Sequence, residues 1–470
     1  MGKTNHNPKP GENEKAMSYS ILRSIASPNT SPLSGSIRSH LSPVLLNVLV
    51  GLILAVSAGH ASAVLPEDSN FEVLGPDIET LSWTPGLAPT AIEAEIADVS
   101  APRKGYLYVP GVSPGFDYAL DHLDTLYEKT GLRIGTAYTS VIQGLTAGTG
   151  INGEPWPRYG AAGDWDIMST WTVVGRQSEN TGQFVFDGED RFAIGPRTPN
   201  SLGANIATLQ PTVNTFNDRG WVVRDLFYEQ RLWHGQIRLM LGRADSTDYF
   251  GSTWMQSANN SFVNRHFASG VTVNAPGHGP AAGASFRPND SNFYISGGGA
   301  NAYNSTTTTG FDTLHNWTFF AYGEGGWTPT NCLGAGRYTI SGWHIGERTE
   351  TGLPADWGVT AIADQQLCSK VEVFARYGYS EAAALNVHHY AQAGLGWRGL
   401  VGSTNDMTGL AFSWASPRGN LREEKVVETF YRAQITRFLQ LSVGAQAIID
   451  PGASTKDAVG AFWGRMRIMF

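Results

Sequence analysis

The stretch that decides the fold is AFWGRMRIMF, residues 461–470, in which two kinds of side chain alternate. One set includes Phe462, Met466 and Phe470, and the other includes Arg465 and Arg467. Alternation with a period of two predicts a β-strand with two different faces. Because cations at every second position are costly against lipid tails, we expect them to face a wet interior. The stretch indicates a transmembrane β-barrel strand that ends on an aromatic residue.

Other segments of about ten residues repeat this alternation and are separated by turn residues. Residues 439–447 place apolar side chains at odd positions, while Gln440, Ser442 and Gln446 point the other way. Residues 221–243 form the clearest hairpin, with its turn at 233–235. A soluble β-sandwich with one wet face is the alternative for such a hairpin. The aromatic residue that ends the last strand favours the barrel.

Counting back from Phe470 predicts an all-β fold, a 16-stranded antiparallel transmembrane β-barrel with a short N-terminal periplasmic helix. An even number of strands returns both chain ends to the periplasmic side. We expect short turns there, at 233–235, 288–290 and 436–438, and long outer loops at 188–220, 244–280 and 298–314. For residues 132–142 and 336–346 the pattern does not show which face of the strand contacts water. The predicted strands lie near 132–142, 163–175, 181–187, 221–232, 236–243, 281–287, 291–299, 315–326, 336–346, 357–366, 369–379, 389–398, 406–414, 426–435, 439–448 and 459–470.

Composition agrees with a sheet protein. The chain has 470 residues, with 55 Gly and only 16% charged residues, and its 14 Trp, 17 Tyr and 21 Phe supply much aromatic surface. The formal net charge is −8. Residues 1–63 carry five basic and two acidic residues, so their removal takes the charge to about −11. An acidic exported chain of this kind is a poor nucleic-acid binder.

The N-terminus predicts export. Residues 44–56 are an apolar run of 13, and Ala61 and Ala63 are small residues at the positions that a signal peptidase reads. We expect residues 1–63 to be a leader and signal peptide that is cleaved after Ala63, with Met17 as an alternative start. Residues 64–131 form a periplasmic arm, extended and Pro-rich over 64–117, with a helix at Tyr118–Thr130. Residues 132–470 form the barrel.

The two cysteines lie at the predicted periplasmic ends of neighbouring strands. We predict a disulfide between Cys332 and Cys368, and the alternative is two unpaired turn cysteines. No cofactor or metal site is expected. Residues 394–399 fit G-x-G-x-x-G but end a strand with no helix after it, and His388-His389 lacks partner ligands at helical spacing.

Several short pieces follow one another in sequence order: 225–232 (DLFYEQRL) with 239–250, 283–290, 373–378 (VFARYG), 393–400 and 448–452 (IIDPG). Together they resemble the carbohydrate-selective outer-membrane porins of the OprB type, over about residues 120–470. The resemblance implies a sixteen-stranded sugar-diffusion channel in the bacterial outer membrane, with a periplasmic helix and an inward-folded loop that narrows the lumen. It favours a monomer, with a trimer as the alternative. Here the candidate constriction loop is 244–280.

A diffusion channel needs no catalytic group, only a hydrated lumen whose polar groups replace part of a sugar's hydration. Aromatic rings can also pack on the C–H face of a sugar. The alternative for the charged candidates is that they pair with one another and stiffen the wall. The candidates for lining the pore and binding solute are Asp225, Phe227, Glu229, Arg238, Trp254, Glu372, Arg376, Arg432, Arg465 and Arg467.

The sequence thus predicts a non-enzymatic porin for passive diffusion of mono- or oligosaccharides. Its further partners would be outer-membrane lipid and the barrel-assembly machinery, which would engage the strand ending at Phe470. General diffusion, an outer-membrane barrel enzyme and a secreted carbohydrate-binding sandwich remain as alternatives. No Ser, His and Asp set that would support an enzyme is recognisable.

Overall fold

The computed structural model describes residues 88–101, 103–110, 112–148, 157–288 and 291–470. The predicted leader, the cleavage position after Ala63 and the first part of the arm lie outside these residues. No helix among the described residues has the length and apolar character needed to cross a membrane.

Sixteen long antiparallel strands form a single closed sheet, since β1 pairs with both β2 and β16. A two-residue segment, Thr330–Asn331, also pairs beside β9. Every predicted strand is present, mostly within three residues of its predicted bounds. The strands are β1 Leu132–Leu145, β2 Tyr159–Val174, β3 Gly182–Ala193, β4 Gly220–Leu232, β5 Ile237–Ala244, β6 Gly279–Phe286, β7 Phe293–Asn301, β8 Phe319–Trp327, β9 Gly334–Ile345, β10 Asp356–Leu367, β11 Val371–Ser380, β12 Val387–Arg398, β13 Met407–Pro417, β14 Glu424–Gln434, β15 Leu439–Ile449 and β16 Ala458–Met469.

The two faces of the strands differ as the alternation predicts. In β16 the side chains of Arg465 and Arg467 are buried inside the barrel, whereas Phe462 on the other face is 62% exposed. The sequence did not show which face of β1 and β9 is inward. In the structure Thr139 of β1 and Arg337 of β9 point inward, as do the other odd-numbered residues of these strands. The outer face is therefore mainly apolar, whereas the inner face carries buried charged and polar side chains together with apolar ones that pack inside the barrel.

One local irregularity in β4 was not predicted. The β3–β4 register passes from Asp187↔Asp225 directly to Gly188↔Val223, so β4 carries an extra residue at Arg224. A bulge of this kind sends two consecutive side chains to the same side. Arg224 and Asp225 are accordingly both buried inside the barrel.

The prediction of an extended arm over 64–117 was wrong for residues 92–100. Ile92–Ser100 form a helix, α1, which lies against the inner faces of β1, β2 and β3. Ile92, Ile96 and Val99 recur at helical spacing and are buried. The neighbouring prolines and acidic residues masked this spacing, because they are typical of an extended chain.

The second helix, α2, spans Ser113–Thr130 and so begins five residues before the predicted Tyr118. It ends at Gly131, whose φ of 76° gives the left-handed conformation that glycine adopts readily. Most of its residues are exposed, whereas Phe116, Leu120, Leu123 and Leu126 are half-buried. Strand β1 follows directly, at the predicted residue Leu132.

Two long loops fold into the barrel: residues 194–219, the first inner loop, and residues 245–278, the second inner loop. The second was predicted and the first was not. Their apolar side chains pack with the inner wall in one cluster. Phe262, fully buried in the second inner loop, has its ring centroid 5.0 Å from that of Phe430 and 5.9 Å from that of Phe374.

We predict that Phe262→Ala loosens the second inner loop, because removal of a buried aromatic ring costs about 3–5 kcal/mol. The folded barrel should remain, but loop cleavage by a protease should become faster at a constant barrel content, measured by gel mobility without heating. Phe311→Ala, at a position that is 62% exposed, is the matched control. Equal cleavage rates for the two variants would contradict the packing role of Phe262.

Candidate pore constriction

Arginines of the inner wall donate hydrogen bonds to backbone carbonyls of the second inner loop. A folded-in loop carries carbonyl groups that water no longer reaches, and each requires a donor. Three of these arginines, Arg376, Arg432 and Arg465, were predicted to face the lumen. The Nη atoms of Arg376 lie 2.6 Å from Gly251 O and 2.9 Å from Ser269 O. An Nη atom of Arg432 lies 2.7 Å from Asn260 O. An Nη atom of Arg465 lies 2.6 Å from Ala258 O and 2.8 Å from Ser261 O.

Carboxylates of the same wall accept hydrogen bonds from the loop's backbone N–H groups. On this side of the barrel three carboxylates do so, and none of them was predicted, although each lies at an inward-facing position of its strand. The wall therefore satisfies both the carbonyl and the N–H groups of the loop. The acceptors are Glu324 for Gly251 N at 2.8 Å, Asp364 for Trp254 N at 3.1 Å, and Glu428 for Val263 N and Asn264 N at 2.9 and 3.0 Å.

Glu424 joins the two inner loops to the wall. One carboxylate oxygen lies 3.0 Å from His266 Nε2 in the second inner loop, and the other accepts from Leu209 N in the first at 2.8 Å. The loops also bond to each other, because Asn214 N donates to Val263 O at 2.7 Å. The constriction is thus one hydrogen-bonded unit.

The predicted residues of β4 and β5 form a second group on the opposite wall. Glu229 accepts from Arg238 Nε at 2.5 Å and from Arg231 Nε at 2.8 Å. Asp225 accepts from the backbone N–H of Asp245 at 3.0 Å. The ring of Phe227 packs edge-on against Tyr249, with centroids 6.0 Å apart. These side chains fix the beginning of the second inner loop.

Helix α1 is held inside the barrel by ion pairs at both ends. Glu93 accepts from Arg238 Nη2 at 2.5 Å, and Asp98 lies 3.5 Å from Arg467 and 2.5 Å from Arg103. Burial raises the pKa of the Glu93 carboxyl to about 7, against the attraction of Arg238. The pKa of Glu95 is also raised, again mainly by burial.

The remaining predicted residues differ in their burial and in the hydrogen bonds that their polar groups form. Trp254 is half-buried, with the Arg337 guanidinium 5.8 Å from its ring centroid. Glu372 is half-buried beside Gly396. Within the described part of the chain, no hydrogen bond reaches the guanidinium nitrogens of Arg467, which are buried under α1. Arg467 is only 1% exposed and is paired with Asp98 of α1, so the half-buried Trp254 is better placed to offer a contact to a solute.

Both predicted disulfide partners are exposed and lie at the same rim of neighbouring strands. Cys368 N donates a hydrogen bond to Leu333 O at 2.8 Å, so the backbones next to the two thiols are in contact. The bond between Cys332 and Cys368 itself stays a prediction.

Comparisons with known proteins agree with this architecture. A family model described as "Carbohydrate-selective porin, OprB family" matches residues 193–470. Among solved structures, the high-pH structure of Pseudomonas putida OprB is similar, with 15% identity and a TM-score of 0.62 over 74% of this chain and 96% of that one. The low-pH structure of the same protein has 14% identity and a TM-score of 0.50 over 78% and 100%. No curated protein sequence matches the chain. At identities of 14–15%, the similarity to these structures establishes the fold alone.

We predict that Arg465→Ala frees part of the second inner loop. The substitution leaves Ala258 O and Ser261 O without their charged donor, and hydrogen bonds to charged groups contribute about 1.5–3 kcal/mol. Backbone hydrogen exchange at 256–264 should become faster. Arg418→Ala, which removes an exposed arginine, serves as the control. Unchanged exchange in the Arg465 variant would show that the loop does not depend on this contact.

We predict that α1 is held in the lumen more tightly at acid pH. A carboxyl whose folded-state pKa is raised stabilises the folded arrangement fully below its unfolded pKa, and this contribution is lost as the pH rises through the folded value. For Glu93 that window runs from 4.5 to about 7. The protection factor for hydrogen exchange over 92–100, which is the intrinsic exchange rate at each pH divided by the observed rate, should therefore fall across this range.

The Glu93→Gln variant should flatten this dependence, because the amide does not titrate. Glu229, Arg231 and Arg238 surround Glu93 and remain charged in the variant. A protection factor that rises as the pH goes from 5 to 8 would contradict the prediction, since it would require charged Glu93 to bind better than the neutral acid.

Proposed function

Because this chain belongs to the carbohydrate-selective porins of the OprB family, we propose that its two inner loops form a fixed sugar constriction in the outer membrane. The protein is a β-barrel channel for passive diffusion of small carbohydrates. The observation that carries the proposal is the hydrogen-bonded attachment of the second inner loop to the wall through Arg376, Arg432 and Arg465.

This attachment makes the opening rigid. The loop's carbonyl and N–H groups are bonded to wall side chains, so a displaced loop would leave several of them unpaired in the interior. A rigid opening selects solutes by size without any conformational step. A passive channel of this kind has no need of a catalytic group, and we propose that the chain carries out no chemical reaction.

Selectivity for sugars requires contacts beyond size. We propose that the half-buried Trp254 ring packs on the C–H face of the sugar. Most of the predicted lumen charges, among them Glu229 and Arg376, are already bonded within the protein. They support the wall, which is the alternative considered for them in the sequence.

Export and assembly complete the proposal. We propose that the apolar run at 44–56 directs export with cleavage after Ala63. We also propose that β16, with its outward Phe462 and its aromatic end at Phe470, is the strand that the barrel-assembly machinery engages. The mature barrel is then surrounded by outer-membrane lipid.

We predict that liposomes containing the protein take up glucose faster than an uncharged non-sugar solute of similar size, measured by swelling. In planar bilayers the protein should conduct, and neutral sugar should lower its conductance. Equal uptake of the two solutes would reduce the function to general diffusion. A correctly folded, heat-modifiable preparation that does not swell or conduct would contradict a channel altogether.

We predict that Trp254→Ala reduces the preference for glucose about five-fold, because a ring contact contributes about 1 kcal/mol. The uptake of the non-sugar solute should stay within two-fold. Trp317→Ala, at a residue that is 80% exposed, is the control. A preference that survives the Trp254 substitution would remove this residue from the sugar path.

A further inference from the structure

A cluster of carboxylates lies on the inner wall, and among its contacts with the inner loops is the ion pair between Glu189 and Arg219 of the first inner loop. Asp164 and Asp166 lie on β2, and Glu189 lies on β3 directly opposite Asp166. Each of the three can place an oxygen within 4.8 Å of oxygens of the other two. All three side chains are at most 3% exposed, so the cluster lies inside the barrel.

The cations around the cluster are too few to balance it. Arg191 is shared between Asp164, at 3.3 Å, and Glu189, which also binds Arg219. Asp166 takes part in none of the ion pairs identified among the described residues. The next arginine along the wall is Arg224, which is divided among Asp187, Asp225, Asp245 and Asp248. A local excess of negative charge is therefore buried behind α1.

Unpartnered oxygen atoms point to a missing ligand. Within the described chain, Asp166 Oδ2 and Asp164 Oδ1 are buried without a hydrogen-bond partner. A third unpartnered oxygen belongs to a residue outside the carboxylate cluster. Thr139 of β1 is paired directly with Asp164, is 0% exposed, and its hydroxyl also has no partner. Leaving buried charged and polar oxygens unpaired is costly, and a cation would satisfy them together.

We propose that Asp164, Asp166 and Glu189, together with the Thr139 hydroxyl, bind one divalent cation. The donors are all oxygens, which suits hard cations and disfavours zinc or copper. Ca²⁺ fits better than Mg²⁺, because it accepts six to eight oxygens in flexible geometry and binds carboxylates in a bidentate manner. The ion would join β1, β2 and β3 on the side that faces α1.

The cation also explains how α1 can rest on this wall. Glu95 of α1 is only 4% exposed, and α1 contacts the inner faces of β1 to β3. Without a cation, Glu95 and the wall carboxylates repel each other. A bound divalent ion neutralises the excess and removes much of this repulsion. The site therefore affects how stably α1 packs against the wall and does not affect the contacts with the sugar.

The test is calorimetric titration of chelator-treated, folded protein in detergent with CaCl₂. We expect one saturable site per chain. Asp166→Asn should weaken binding at least ten-fold, and Thr139→Val by a smaller factor. Asp190→Asn is the matched control, because Asp190 lies in the same hairpin but pairs with the outward Trp165, which is 44% exposed. This control should bind as the unmodified protein does.

A second measurement guards against a variant that folds poorly. In chelator, Asp166→Asn should unfold at the same temperature as the unmodified protein or higher, because it removes an unpaired buried charge. In saturating Ca²⁺ the order should reverse, with the unmodified protein shifted upward by about 5 °C or more. The absence of saturable binding, or equal affinity in the Asp166 variant, would overturn the proposal whatever the sugar assays show.

Discussion

The structure depends on one constraint: no backbone N–H or C=O group can stay unpaired in the hydrocarbon of a membrane. A sheet meets this constraint only when it closes, and the pairing of β1 with β16 closes it. Closure divides every strand into an outward and an inward set of side chains. The apolar outer face and the charged inner face follow from this division, because lipid lies on one side and water or protein on the other.

The same constraint acts again inside the barrel, where the two inner loops bring their own backbone groups. Here the partners are side chains rather than neighbouring strands. Arg376 and Arg465 supply donors for loop carbonyls, and Glu428 supplies acceptors for loop N–H groups. In the sequence these charged residues resemble the lining of a solute-binding lumen, but in the structure most of them hold the inner loops in place. The fixed opening, in turn, is what a passive, size-limited channel needs.

The two halves of the inner wall differ in how completely their charges are satisfied. Along β8 to β16 the arginines and carboxylates bind the second inner loop, so that buried charge and buried backbone stabilise each other. Along β2 to β4 the carboxylates outnumber the arginines, and α1 covers them with further acidic residues. Buried charge that lacks partners is unstable unless it is protonated or bound to a cation.

The sequence by itself determined the sixteen strands, most of their bounds to within a few residues and most of their inward faces, because an alternation of period two is local. The inward faces of β1 and β9 were decided only by the structure. The sequence also indicated the second inner loop, through the family resemblance. Tertiary structure alone decided what the inward residues touch. Nothing near Arg465 in the chain indicates that it will bind Ala258 O, since the two meet only after the barrel closes and the loop enters it. The bulge at Arg224 was missed for the same reason, because it depends on strand pairing inside the barrel. The helix of Ile92–Ser100 was missed although its helical spacing is present in the sequence, because neighbouring prolines and acidic residues masked it.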